Sequence, residues 1–166
     1  MIKDREVDFE LFVGAALSGY NAINFGLDSI RQKIKEATKG NKPTVRVCEM
    51  INDFGEQYNH LRALKFFMIE AFLKMSEDNK TKINAQILLL KYVDKINFDT
   101  IQKMLRMPNS TYYRRLETAK VQFANALREV GLTDEIVMKI VEKEKWLVRI
   151  YEKLQLRDLD EMKEVG

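Results

Sequence analysis

The residues best equipped for chemistry lie in one short run, Asn109-Ser110-Thr111-Tyr112-Tyr113-Arg114-Arg115. Asn109, Ser110 and Thr111 carry small hydrogen-bonding groups, Tyr113 a hydroxyl on a flat ring, and Arg114 and Arg115 paired guanidinium forks. Such groups do not break covalent bonds. They exchange hydrogen bonds with base edges and phosphate oxygens. If the run opens a helix, Tyr112, Leu116, Ala119, Phe123 and Leu127 fall on one apolar face. Asn109, Ser110, Tyr113 and Arg114 then face outward to read bases, with Thr111 beside them. Arg115 and Lys120, with Lys103 before the break, supply cations that hold phosphates.

Three helices must position that run, all within Lys82 to Leu127. The first carries Ile83, Ile87, Leu90 and Val93 at helical spacing. A short second helix from about Phe98 to Leu105 turns Ile101, Met104 and Leu105 inward. Arg106-Met107-Pro108-Asn109 breaks the chain, and the third helix starts at about Ser110. A short helix, a tight break and a longer helix opening with small polar residues and paired arginines form a helix-turn-helix pattern. The bland alternative is an amphipathic helix with a basic outer face that binds an acidic protein partner.

The stretch ILLLKYVDKINFDTIQKMLRMPNSTYYRRLETAKVQFANAL, about a quarter of the chain, resembles the DNA-binding part of the ArpU-like and RinA-like phage late-transcription regulators. That part is similar to region four of bacterial sigma factors. The resemblance rests on a hydrophobic helix ending in Tyr (Leu88 to Tyr92), a short helix with Ile101 and Leu105, the start Ser110 to Arg114, and the run Ala119 to Ala124. The chain departs from the pattern at two positions: Arg106 stands where the turn usually has Gly, and Pro108 where Ser usually precedes the recognition helix. An Arg in a left-handed conformation costs about 1 kcal/mol, so a longer or differently shaped turn is expected. The resemblance implies late-gene activation; whether RNA polymerase is contacted stays open.

Charge agrees with the placement of the motif. The net charge of the 166 residues is +3, but residues 80–130 hold ten Lys and Arg against four Asp and Glu, a net +6. Residues 1–79 carry −1 and residues 131–166 carry −2. Cationic surface gathered on the motif is the footprint of a duplex-binding protein. Hydrophobic residues make up 46% of the chain, and no Gly interrupts residues 56–130. With two Pro in all, this is an all-α composition. No apolar run reaches membrane-spanning length, and MIKDREVDFE is too charged for a signal peptide, so a soluble cytoplasmic protein of a bacterial host cell is expected.

On either side of the motif the helical period continues. Phe9, Val13, Ala16, Tyr20, Ile23, Leu27, Ile30, Ile34 and Ala37 alternate spacings of four and three, a coiled-coil seam. One of Gly14, Gly19 and Gly26 is expected to mark a kink or close crossing; an uninterrupted helix of ~32 residues would be ~48 Å long. After Gly40 and Pro43, Thr44 can cap a second helix with Val47, Ile51, Phe54, Tyr58, Leu61, Met68, Phe72 and Met75 on its seam. Leu64, Phe67 and Ala71 widen that stripe, which calls for further partners: the rest of this chain, a second copy, or both. Met75 to Lys80 is a polar break and candidate hinge. Beyond Gly131, Thr133-Asp134-Glu135 starts one final helix with Ile136, Ile140, Leu147, Ile150 and Leu154 inward, followed by an acidic, frayed tail from Asp158.

Catalytic signatures are missing. His60 is the only histidine, expected at the surface or satisfied; Cys48, the only cysteine, is expected as a small buried hydrophobe. Glu77-Asp78 and Asp134-Glu135 sit at helix boundaries, where capping explains them. No phosphate-cradling Gly loop and no metal-ligand spacing occurs, so neither enzyme, cofactor nor metal is expected.

The sequence thus predicts an all-α chain: a long helical hairpin for oligomerisation (1–79), a helix-turn-helix unit (80–130), and a C-terminal helix and tail (131–166). Its expected work is sequence-specific double-stranded DNA binding as a homodimer or higher homo-oligomer, regulating phage or mobile-element transcription, as an activator. Two alternatives stay open: a sigma-factor-like protein acting on RNA polymerase, and a small-terminase-like packaging or scaffold component.

Overall fold

In the computed structural model, which describes residues 8–40 and 44–165 and side chains as far as Arg157, every regular element is helical. Helix α1 (Phe9–Ser18) begins where the Asp8 carboxylate accepts from the Glu10 and Leu11 amides, at 3.0 and 3.3 Å. Phe12, Val13, Ala15, Ala16 and Leu17 are all buried, which covers more than one face. A helix so apolar has to be surrounded. It packs chiefly on α8 and α6.

Of the three glycines expected to include a kink or close crossing, Gly19 is where the N-terminal seam is interrupted. α1 ends at Gly19 (φ −95°, ψ 10°) and α2 (Tyr20–Thr38) sets off anew. The cause lies far along the chain: a β-carbon at position 19 would overlap the Trp146 ring, so only glycine lets α1 and α2 bend around that indole. Thr44 caps α3 (Val45–Glu77), its hydroxyl accepting from the Val47 amide at 3.2 Å. Pro43 lies outside the described residues. Tyr20 meets Phe72, Arg31 meets the Tyr58 hydroxyl and Lys33 lies over Phe54. Contacts that descend α3 as they ascend α2 make the pair antiparallel.

The broad stripe of α3 is covered by the chain itself. Leu64, Met68, Ala71 and Met75 are buried, and α4, α6 and α7 pack on that helix. The Phe72 and Phe123 rings lie 4.5 Å apart. Met75 to Lys80 forms a bonded turn: Thr81 donates its hydroxyl to the Met75 carbonyl at 2.7 Å, and the Lys80 amide donates to the Asp78 carboxylate at 2.9 Å.

Helix α4 (Lys82–Leu88) continues as a π-helical turn, Leu89–Val93. The inward face differs from the one expected. Asn84, Ala85, Leu88 and Tyr92 are buried with Ile87, whereas Ile83 is exposed and Leu90 and Val93 are half-buried. α5 (Phe98–Leu105) has the predicted limits, with the Asn97 side chain accepting from the Thr100 amide at 2.9 Å. It buries Ile101, but Met104 points outward. α6 (Asn109–Glu129) buries Tyr112, Leu116, Ala119, Phe123 and Leu127, the face its spacing predicted.

The expected single final helix is two, α7 (Asp134–Lys143) and α8 (Lys145–Val165), parted at Glu144. The acidic tail is helical to Val165, and its side chains lie outside the described residues. Glu144 is buried, and its Oε2 accepts from the Trp146 indole N–H at 2.8 Å. The carboxylate therefore fixes the ring that wedges open the α1–α2 bend. Among the described residues no helix is long and apolar enough to cross a membrane.

Two predictions follow from the bend. Gly19→Ala should gain up to ~1 kcal/mol of helix propensity and still lower stability by about 1–3 kcal/mol, because the added methyl displaces Trp146. Urea unfolding followed by the lone tryptophan's fluorescence measures it; a stabilised variant with unchanged emission would refute the wedge. Burial pushes the Glu144 carboxyl above its ordinary range, with the Trp146 hydrogen bond opposing part of the shift. The folded state thus holds this proton more tightly than the unfolded chain. The resulting stability is present below the unfolded pKa of about 4.3 and lost as pH rises through the raised folded value. Glu144→Gln should accordingly raise the urea midpoint at pH 7 and change it little at pH 4.

Candidate nucleic-acid interface

The candidate interface comprises α5, a three-residue turn and the first turns of α6. Arg106 closes α5 in the left-handed region (φ 51°, ψ 50°), and its amide donates to the Gln102 carbonyl. The Met107 amide donates to the same carbonyl at 3.1 Å, and the Gln102 side chain donates to the Met107 carbonyl at 3.3 Å. The turn is therefore short, with Arg106 taking the conformation a glycine would favour. The longer turn expected from the departure at 106 does not occur.

Pro108 holds extended backbone (φ −63°, ψ 157°) before α6 and offers no capping side chain. The first amides of an α-helix have no intrahelical acceptor, so this end presents bare N–H groups and the positive end of the helix dipole. Around it stand Asn109, Ser110 and Arg114, all exposed, and Tyr113 at 56% exposure. Thr111 and Arg115 are half-buried at the flanks. Lys103 and Arg106 line a shallow concavity with Asp99, Gln102, Met107, Pro108 and Asn109.

Two of the expected base-reading residues are already engaged. Asn109 Oδ1 accepts a hydrogen bond from Gln102 Nε2. Tyr113 stacks on Phe98, rings 5.2 Å apart and tilted by 24°, while Phe98 meets Tyr112 edge-on at 4.9 Å. These contacts orient both side chains without burying Tyr113. Gln102 and Phe98 are positioning residues that the sequence reading did not single out. Their partners lie across the α5–α6 crossing, which no spacing along the chain reveals.

Lys120 stands apart from this group. It is only a third exposed, pairs with Glu117 at 3.3 Å, and lines a cavity with Asp8, Glu10 and Tyr92. Burial, and then the charge on Lys120, holds Lys91 below the usual lysine value; burial raises the Tyr92 hydroxyl. Two of the ten cations in residues 80–130 are thus half-buried away from the α6 start, Lys91 in the π turn and Lys120 eleven residues along α6 from Asn109. Arg128 is spent on Asp134 at 2.7 Å and on the Phe9 ring. Lys103, Arg106, Arg114 and Arg115 remain at the α5–α6 end.

Elsewhere, Cys48 is exposed, not the buried hydrophobe expected, because the first turns of α3 project beyond its neighbours. His60 is half-buried, and among the described residues its Nδ1 has no hydrogen-bond partner. Among the described residues no group of His, Cys, Asp or Glu could hold a metal ion. No family model, curated protein or solved structure matches the chain.

The left-handed Arg106 yields a stability prediction. Arg106→Gly removes a conformational cost of about 1–2 kcal/mol and adds backbone freedom to the unfolded chain worth about 0.4–1 kcal/mol. The variant should be more stable by roughly 0.5–1 kcal/mol in urea unfolding. A loss of stability would mean that the turn relies on the arginine side chain.

Proposed function

We propose that this chain is a sequence-specific double-stranded DNA-binding transcription regulator of a phage or other mobile element, of the ArpU-like and RinA-like kind. α5 and α6 serve as the helix-turn-helix, with the N-terminal end of α6 in the major groove. One observation carries the reading. The first two turns of α6 turn Ser110, Tyr113 and Arg114 to solvent at an uncapped helix end, while Tyr112 and Leu116 anchor the opposite side in the core.

The chemistry assigns the roles. Arg114 presents a planar fork that fits the two acceptors of guanine, and Ser110 reaches a base edge or phosphate. The bare amides of Asn109 to Thr111 donate to a phosphate oxygen placed along the helix dipole. Lys103, Arg106 and Arg115 hold backbone phosphates on both sides and fix the register of α6. Lys120, paired with Glu117, has no part in the contact.

Selection from a random duplex library followed by binding anisotropy tests the proposal. With about four phosphates neutralised, log affinity should fall against log salt with a slope near −3.5. Arg114→Ala should lose about 1–3 kcal/mol on the selected site and relax its sequence preference. Lys103→Ala should weaken all sequences alike and reduce the slope by about one. No enrichment of any sequence, or no duplex affinity at low salt, would remove the reading.

A further inference from the structure

α3 has a second apolar face that the fold does not use. Phe66, Ile69 and Leu73 are 58%, 38% and 51% exposed. At spacings of three and four they form one stripe, on the side of the helix away from buried Leu64, Met68, Ala71 and Met75. The inner face is already covered by α4, α6 and α7, so the outer stripe adds nothing to the monomer's core. Charges of opposite sign end it. Arg62 lies four residues before Phe66 and Glu77 four residues after Leu73; both are exposed, and neither has an ion-pair partner among the described residues.

We infer that this stripe is the contact between two copies of the chain, joined as an antiparallel α3–α3 pair about a two-fold axis between Ile69 and Glu70. The charge pattern selects the arrangement. In the antiparallel pair Phe66 of each copy meets Leu73 of the other, and Arg62 of each meets Glu77 of the other. A parallel pair would set Arg62 against Arg62 and Glu77 against Glu77. A patch that complements itself on rotation is what an isologous dimer requires. This surface differs from the α2–α3 seam, which is closed within one chain. The inference goes beyond the DNA-binding reading and does not depend on it. If both hold, the pair carries two α6 ends related by the same axis, as a palindromic operator demands.

Sedimentation velocity of the full chain is the test. A stripe of this size places the interface among the small, weak ones, so a concentration-dependent monomer–dimer equilibrium is expected below about 100 µM. Ile69→Asp should leave a monomer with unchanged helical circular dichroism, since the side chain is exposed. Arg62→Glu and Glu77→Arg should each weaken association about tenfold, because each reverses two symmetric contacts. The double variant should return to within about threefold of the parent. A parent monomeric at ~100 µM, or a dimer indifferent to Ile69→Asp, overturns the interface. Single variants that weaken while the double fails to recover overturn the antiparallel pairing. None of these readouts involves DNA, so a failure here leaves the DNA reading standing, and the reverse holds too.

Discussion

The packed rings of Phe72 and Phe123, 4.5 Å apart and tilted by 31°, join the longest helix to the one that bears the candidate interface. Tyr20 approaches Phe72 edge-on at 6.3 Å and brings α2 to the same point. Such aromatic pairs contribute about 0.5–1.5 kcal/mol beyond the area they bury. Their geometric effect matters more. Asn109 lies fourteen residues before Phe123, roughly 21 Å along the axis, so α6 extends from a clamped base as a stiff arm. Whatever the α6 end touches is held at a fixed distance from α3.

Legibility divided along a physical line. The inner face of α6 was readable because Tyr112, Leu116, Ala119, Phe123 and Leu127 follow an undistorted helical period and all are buried. The limits of α5 and the Thr44 and Thr133 caps were readable because capping is local chemistry. Features set by distant contacts were not. Which of Gly14, Gly19 and Gly26 interrupts the helix depends on Trp146, and the single final helix expected is parted at the buried Glu144. In α4 Ile83 shares a helical spacing with Ile87, yet Asn84, Ala85 and Leu88 take the inward face beside Ile87, and the π turn begins only at Leu89.

The candidate site divides in the same manner. Ser110 and Arg114 stand outward as the period of α6 requires. Asn109 and Tyr113 also fall at that end, but Gln102 and Phe98 decide where they point, across a helix crossing that a linear pattern does not encode. Net charge was a coarse guide for a similar reason. It counted Lys91, Lys120 and Arg128 with the rest, although burial and pairing with Glu117 and Asp134 withdraw all three from the α5–α6 end.

The seating of α1 against α8 has a consequence for synthesis. The Asp8 amide donates to the Tyr151 hydroxyl across a sequence separation of 143 residues. At about 5–20 residues per second, translation takes roughly 7–30 s to span that distance. Throughout that interval Phe12, Val13 and Leu17, buried in the finished fold, lack the helix that covers them. Contacts this remote slow the search for the native state, and exposed apolar segments invite association. Until α8 is made, α1 therefore carries apolar surface that can associate with other chains.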